Sequence, residues 1–347
     1  MQVTDLMHAA DPATRVDPPT AAQRAEILDD AVAASDTSSA GRPRNRRLGR
    51  IAVGIAASLV IGGAAFQSLN HDGAEAQAAE VLRTAAIHAT DPPVKPGQYW
   101  EITQVGTWMM SSCDEAATDE SDCDSVVRAK YLSYVETEGL LPSWTMNFPL
   151  ELVKALGSDA APLPTGDSWS AETSNLAPND VPGGWQSPSP AWLSSLPRDT
   201  NELRAKLAAD TKGRGRNNDD EMFVYVADVL RSGLVPADLR SALFEVLATV
   251  PGTRVVEDDV TVDGVHGVAI GPSPSSEVAT ELVIDPAAGQ VMAERERSED
   301  PRLIAVALGT TYSRRLVDAV PSDVQEAAVH GNCTVQDDGA VTCTYDD

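Results

Sequence analysis

The sequence predicts an α+β domain built on an antiparallel sheet with a helical insertion, exported behind one transmembrane helix. Three observations carry this prediction. An uncharged run at residues 51–70 follows the arginines Arg42, Arg44, Arg46, Arg47 and Arg50. Beyond it, four cysteines fall into two pairs of equal spacing, Cys113 with Cys123 and Cys333 with Cys343. The rest of the chain reads as strands, then helices, then a run of hairpins, the order expected of an α+β domain. The expected organisation is a cytoplasmic segment at 1–47, a membrane helix at 48–70 and an exported domain at 75–347 with a helical insertion at 199–250.

Charge narrows the choice of partners. The chain has 347 residues, 26 Lys+Arg against 52 Asp+Glu, and a net charge of −26. An ordinary nucleic-acid binder needs a basic face for phosphate, so no nucleic-acid partner is expected. Residues 1–50 hold seven acids and seven arginines and are neutral, so the whole negative charge belongs to the remainder. Such a surface keeps a domain soluble and repels anions.

The first element in chain order is a cytoplasmic segment with one short helix at 21–34, capped by Thr20, with Ile27 and Leu28 as a thin apolar face. A Ser-, Arg- and Gly-rich linker follows. The run IAVGIAASLVIGGAAFQSLN is then long enough to span a bilayer core, which takes about 17–25 residues. Arginines precede it, and Asp72 and Glu75 lie just beyond it. The positive-inside rule therefore keeps the N-terminus in the cytoplasm and exports the chain beyond residue 70. Cleavage after Ala76 or Ala78 is the rival reading, but signal peptides rarely carry some fifty residues before their apolar region. Gly54, Ser58 and Gly62 repeat every four residues, a pattern that can pack a second helix.

An Ala-rich helix is predicted at 75–89, with Ala78, Val81, Leu82, Ala85 and Ala86 on one stripe. Pro92, Pro93 and Pro96 end it. Strands at 98–109 and 126–136 form a hairpin, with a third strand at 141–148. Residues 162–197, dense in Pro, Ser and Gly, are expected to run over the surface. Helices come next at 201–209, capped by Thr200, at 219–232, and at 237–250 behind Pro236. Asp263-Gly264 and the run Asp285–Gly289 then mark two hairpin turns, and a last strand region covers 303–317.

Four cysteines in an exported domain read as disulfides, and four allow three connectivities. Local pairing is preferred because each pair looks like the mouth of a hairpin. In CTVQDDGAVTC a three-residue loop ending in Gly339 sets Cys333 opposite Cys343. Between Cys113 and Cys123, five of nine residues are acidic, yet they lack the ligand spacing of a calcium loop. Neither pair has His or Cys neighbours for zinc, so no metal or cofactor is expected. HExxH, GxSxG, P-loop and SxxK motifs are all missing from the chain. His266 falls alone in a predicted strand. No catalytic residue is assigned and no enzyme activity is expected. The six tryptophans raise a carbohydrate or lipid reading, for which ordinary packing is an equal explanation.

Three features together carry a resemblance. They are the Arg-rich segment before one membrane helix, the Ala-rich helix leading into PGQYWEITQV, and LRSALFEVLATVPGTRVVEDDVTVDGVHGVAIG followed by ELVIDPAAGQVMAER. This combination resembles a family of uncharacterised actinobacterial single-pass membrane proteins often encoded beside extracytoplasmic-function sigma factors. It covers roughly residues 75–317. The IDPAAG turn is also similar to that of exported sensor domains related to lipoprotein carriers, whose half-barrel sheet cups helices. The resemblance brings no catalytic residues. Residues 1–47 lack the HxxxCxxC of zinc-binding anti-sigma factors. The resemblance implies a cell-membrane protein with a sensing or binding domain outside. A cytoplasmic regulatory partner would bind through 1–47, and an unidentified ligand would bind the exported domain. The alternatives are a carrier of a lipid or hydrophobic ligand, and an exported hydrolase.

Overall fold

A computed structural model describes residues 71–113, 123–158, 160–163, 169–215, 217–273, 280–298, 300–303, 308–337 and 339–345. The chain divides into Met1–Ala64 and Ala65–Asp347. The predicted cytoplasmic helix, the five arginines, the 51–70 span and the acidic loop between Cys113 and Cys123 lie outside the described residues. Among the described residues no helix is long and apolar enough to cross a membrane.

The chain is α+β, with one large sheet and helices gathered beside it. Its elements are α1 (His71–His88), β1 (Tyr99–Ser111), β2 (Asp124–Glu136), β3 (Trp144–Asn147), β4 (Glu151–Ala155) and β5 (Ser170–Ser174). Next come α2 (Pro190–Ser195), α3 (Thr200–Asp210), α4 (Asn218–Arg231) and α5 (Ala237–Leu247). Strands β6 (Arg254–Val262), β7 (Val265–Gly271), β8 (Thr280–Asp285), β9 (Gln290–Glu296) and β10 (Leu308–Val317) follow, then α6 (Ser322–Ala327), β11 (Ala328–Val335) and β12 (Val341–Tyr345). The twelve strands run in the order β12-β11-β5-β3-β2-β1-β10-β9-β8-β7-β6, with β4 beside β3 along β2.

The sheet is mixed, where the sequence pointed to an antiparallel one. Every named strand pair is antiparallel except β5 and β11, which run parallel with Ala171 opposite Ala328. The parallel pair arises because the chain returns from β10 over α6, whose Val324 joins Val320 in covering Tyr134, Met146 and Ala171. A crossover of this kind has no local turn signal in the sequence.

The main core lies between the helices and β6–β9. Alternation places Val255, Ile270, Leu282 and Ile284 under the helices. From above come Leu82 of α1, Leu207 of α3, Phe223 and Val229 of α4, and Leu243, Phe244 and Leu247 of α5. Burying each of these large side chains contributes about 1.5–3 kcal/mol. Ala78, Ala85 and Ala86 let α1 sit close to α5. At the β8–β9 turn, Gly289 has φ +61°, and a Cβ there would collide with the backbone of His88 and Ala89. Residues on the other face of β6–β9 form a smaller cluster of Val260, Val262, Ala269, Val283 and Ala293. Two register shifts bend β6. Asp263, in the β6–β7 turn, meets Arg128 of β2 at 2.6 Å.

Residues 162–197 differ most from the sequence reading. Instead of a surface excursion they contain β5, a 3-10 turn at Pro178–Asp180 and α2. Trp185, Leu193 and Leu196 are buried in the main core. Proline and glycine set the turns of this stretch, but its large apolar side chains decide where it goes. The cap of α3 is Asp199, which accepts from the amides of Asn201 and Glu202, rather than Thr200. The strand read at 303–317 begins at Leu308, after a 3-10 turn at Pro301–Leu303.

Candidate functional site

Both predicted disulfides form. Cys333 and Cys343 face each other across β11 and β12, and the Gln336 amide donates to the Ala340 carbonyl at 2.7 Å. Gly339 has φ +86°, as the three-residue loop requires. Cys113 and Cys123 close the β1–β2 hairpin, where the Ser112 amide donates to the Cys123 carbonyl at 3.2 Å. His266 is exposed, and its Nδ1 lies 2.9 Å from the Thr261 hydroxyl on the neighbouring strand. Among the described residues no three His, Cys, Asp or Glu side chains converge as metal ligands would.

An open cavity with a volume of ≈ 480 Å³ and both charged and aromatic walls lies against the loop 182–187. Asp210 at the end of α3, Arg214, Tyr225 of α4 and Gly339 of the β11–β12 loop complete its wall. Trp185 anchors the loop. Its indole packs edge-on against Trp192 at 5.2 Å and tilted against Tyr225 at 6.2 Å. Its Nε1 donates to Asp210 Oδ2 at 2.8 Å, and Lys206 Nζ donates to the same oxygen at 2.9 Å. Burial would raise the Asp210 carboxyl, but these hydrogen bonds outweigh it and hold the group below the usual carboxylate range. Asp210 is therefore a fixed anion at the cavity wall.

A polar cluster lies beneath. The Gln186 side chain, from the same loop, lies near Asp228 of α4 and favours its charged form, while Asp228 Oδ2 is buried without a hydrogen-bond partner. Arg231 pairs with Asp228 at 2.7 Å and lies 3.8 Å from Glu294 of β9. The Tyr312 hydroxyl of β10 donates to Glu294 Oε2 at 2.9 Å, while Glu294 Oε1 is buried without a hydrogen-bond partner. Burial pushes both carboxyls up, and Arg231 offsets this only in part. Tyr312 is raised as well, first by burial and then by Glu294. A chain of polar contacts thus runs from the cavity loop through α4 to the sheet.

A second cleft, with a volume of ≈ 30 Å³, lies between helices and sheet near Ile102, Leu230, Val235 and Val291. That is room for one or two water molecules. Arg240 and Arg314 project into it and share Asp91. Arg240 also donates to the carbonyls of Gly289, Val235 and Thr90, and Arg314 to Gly233. Burial lowers the Arg314 guanidinium to about 10, with Asp91 opposing and Arg240 adding to the effect. Arg314 lies over the Trp100 ring at 4.5 Å, so Trp100 serves the core. These bonds staple α1, α5, β10 and the β8–β9 turn together.

No motif or spacing in the sequence singles out Gln186, Asp210, Arg214, Asp228 or Glu294. The one available signal is Asp228, a charge among the apolar Phe223, Val226, Val229 and Leu230 of α4. No family model, no curated protein and no solved structure matches this chain.

Proposed function

We propose that the chain is a membrane-anchored envelope protein whose residues beyond about 70 form an exported sensing or binding domain. The observation that carries this reading is the pair of disulfides, each closing its own hairpin. Such cross-links persist in oxidising compartments and are rare in the cytosol. The five arginines before an uncharged run supply the orientation, with residues 1–47 inside. Residues 1–47 would then meet a cytoplasmic regulatory partner, and a sigma-factor circuit is the one the resemblance suggests. The contact of Asp263 with Arg128 supports reading the sheet as half-barrel-like, curled about one face.

Binding is favoured over chemistry because polar groups gather at the cavity, while no nucleophile, base or metal-ligand set converges there among the described residues. A lipid is the weaker choice of ligand. The cleft between helices and sheet measures ≈ 30 Å³, far below the size of a small-molecule site and too small for an acyl chain. Reporter fusions test the topology. A reporter active only outside the cytoplasm should work when fused after residue 90 and fail when fused after residue 40. The opposite pattern overturns the reading.

A further inference from the structure

The cavity at the 182–187 loop has a chemistry that selects among ligand classes. Its volume, ≈ 480 Å³, falls in the range of small-molecule sites, about 300–1,000 Å³. Its wall carries charges of both signs. Asp210 is held ionised, and Trp185 and Lys206 both donate to its Oδ2, so Oδ1 remains for a ligand. Arg214 is exposed at the wall, and among the described residues its guanidinium has no side-chain partner. Gln186, Ser187 and Tyr225 add groups that both donate and accept. The floor is aromatic, from Trp185 and Tyr225.

Each simple ligand class fails against part of this wall. An anion faces Asp210 and the negative field of a chain carrying −26. A cation faces Arg214, while Lys206 already neutralises part of the Asp210 charge. A hydrocarbon would strip water from several polar groups and return no hydrogen bonds. A polyhydroxylated ring can meet all of them, since one hydroxyl can donate to Asp210 Oδ1 while another accepts from Arg214. The C–H face of the same ring can rest on the aromatic floor. We propose that this cavity binds a neutral saccharide, one or two sugar units in size. The proposal rests on the exported binding-domain reading and specifies its ligand.

The site offers a clean blocking variant. A Cβ built on Gly184 meets no atom within 4 Å, and its φ lies outside the left-handed region. The substitution Gly184→Phe therefore adds a ring in open space at the cavity wall and leaves the core alone. Asp210→Asn keeps an oxygen to accept from Trp185 and removes the charge. The full chain in detergent would be titrated with glucose, N-acetylglucosamine, maltose and cellobiose, with tryptophan fluorescence as readout and choline and citrate as counter-probes. The expected result is a saturable response to at least one sugar, weakened roughly tenfold or more by each substitution with the melting temperature unchanged. No sugar response at tens of millimolar, an undiminished response in both variants, or saturation by choline or citrate in place of sugars would each overturn the proposal. The reporter fusions are independent of this titration. Exported protein without sugar binding rejects the ligand and leaves the binding-domain reading, while sugar binding by a wrongly oriented chain does the reverse.

Discussion

The two ends of the sheet hold together by different means. At the β6–β9 end, helices α1 to α5 bury a continuous apolar core, and Leu82, Phe223, Leu243, Phe244, Ile270 and Leu282 are fully enclosed. At the other end, β3, β5 and β11 are covered on one side by little more than α6. Most of β11 is exposed, and no described residue of β12 is buried. Val329, Val335, Val341 and Tyr345 all face solvent. There the Cys333–Cys343 bond does what burial does elsewhere. It restricts the unfolded chain and so compensates for apolar area the hairpin never removes from water. A large core and a short cross-link are thus interchangeable ways of stabilising strands, chosen by what each end can bury.

Three measurements would break or sharpen this contrast. The largest effect is expected from Phe244→Ala, which opens a cavity where the helices meet. Denaturant unfolding should show a loss of about 3–5 kcal/mol, a large share of a typical domain's stability. A cost no greater than that of removing the disulfide would erase the contrast. Replacing Cys333 and Cys343 together by serine should cost about 2–3 kcal/mol by loop-closure entropy. Hydrogen exchange should rise first in β11, β12 and β5, and a uniform rise across β6–β9 would contradict the division. The smallest effect is a pH dependence where β9 pairs with β10, probed by Glu294→Gln. Burial raises the Glu294 carboxyl in the folded chain. Its contribution to stability is therefore present below its unfolded pKa and is lost as pH rises through the folded one. The glutamine keeps an acceptor for Tyr312 without a charge. The variant's melting temperature should fall less than that of the original chain between mildly acidic and neutral pH. Parallel curves would mean Glu294 is not raised.

The legibility of the sequence divides along similar lines. Cys333 opposite Cys343 is legible because a three-residue loop with Gly339 fixes the register over ten residues. The stripe on α1 and the apolar face of α5 are legible because helical periodicity is local. The β5–β11 pair is not, since it joins residues more than 150 positions apart with no turn between them. Trp185 misleads because Pro182, Gly183 and Gly184 around it read as surface, while burial of an indole and its bond to Asp210 depend on α3 and α4 arriving from elsewhere. The cavity wall is assembled from four such separate segments, and so only Gly339, in the hairpin that the Cys333–Cys343 pair closes, sits in an element that can be foreseen.

The described part of helix α1, His71–His88, spans 18 residues, about 27 Å at 1.5 Å per residue. Its far end is clasped by the β8–β9 turn, where His88 Nδ1 lies 2.9 Å from the Pro286 carbonyl oxygen and Gly289 presses on its last turn. Ser241 of α5 donates to the Ala86 carbonyl at 2.8 Å, and Arg240 ties the carbonyls of Thr90 and Gly289 together. Mechanically, α1 is a strut with no slack. Within its described length a load on the helix is delivered to the β8–β9 turn and α5, so the stiffness of the protein between residue 71 and the sheet is that of one packed helix.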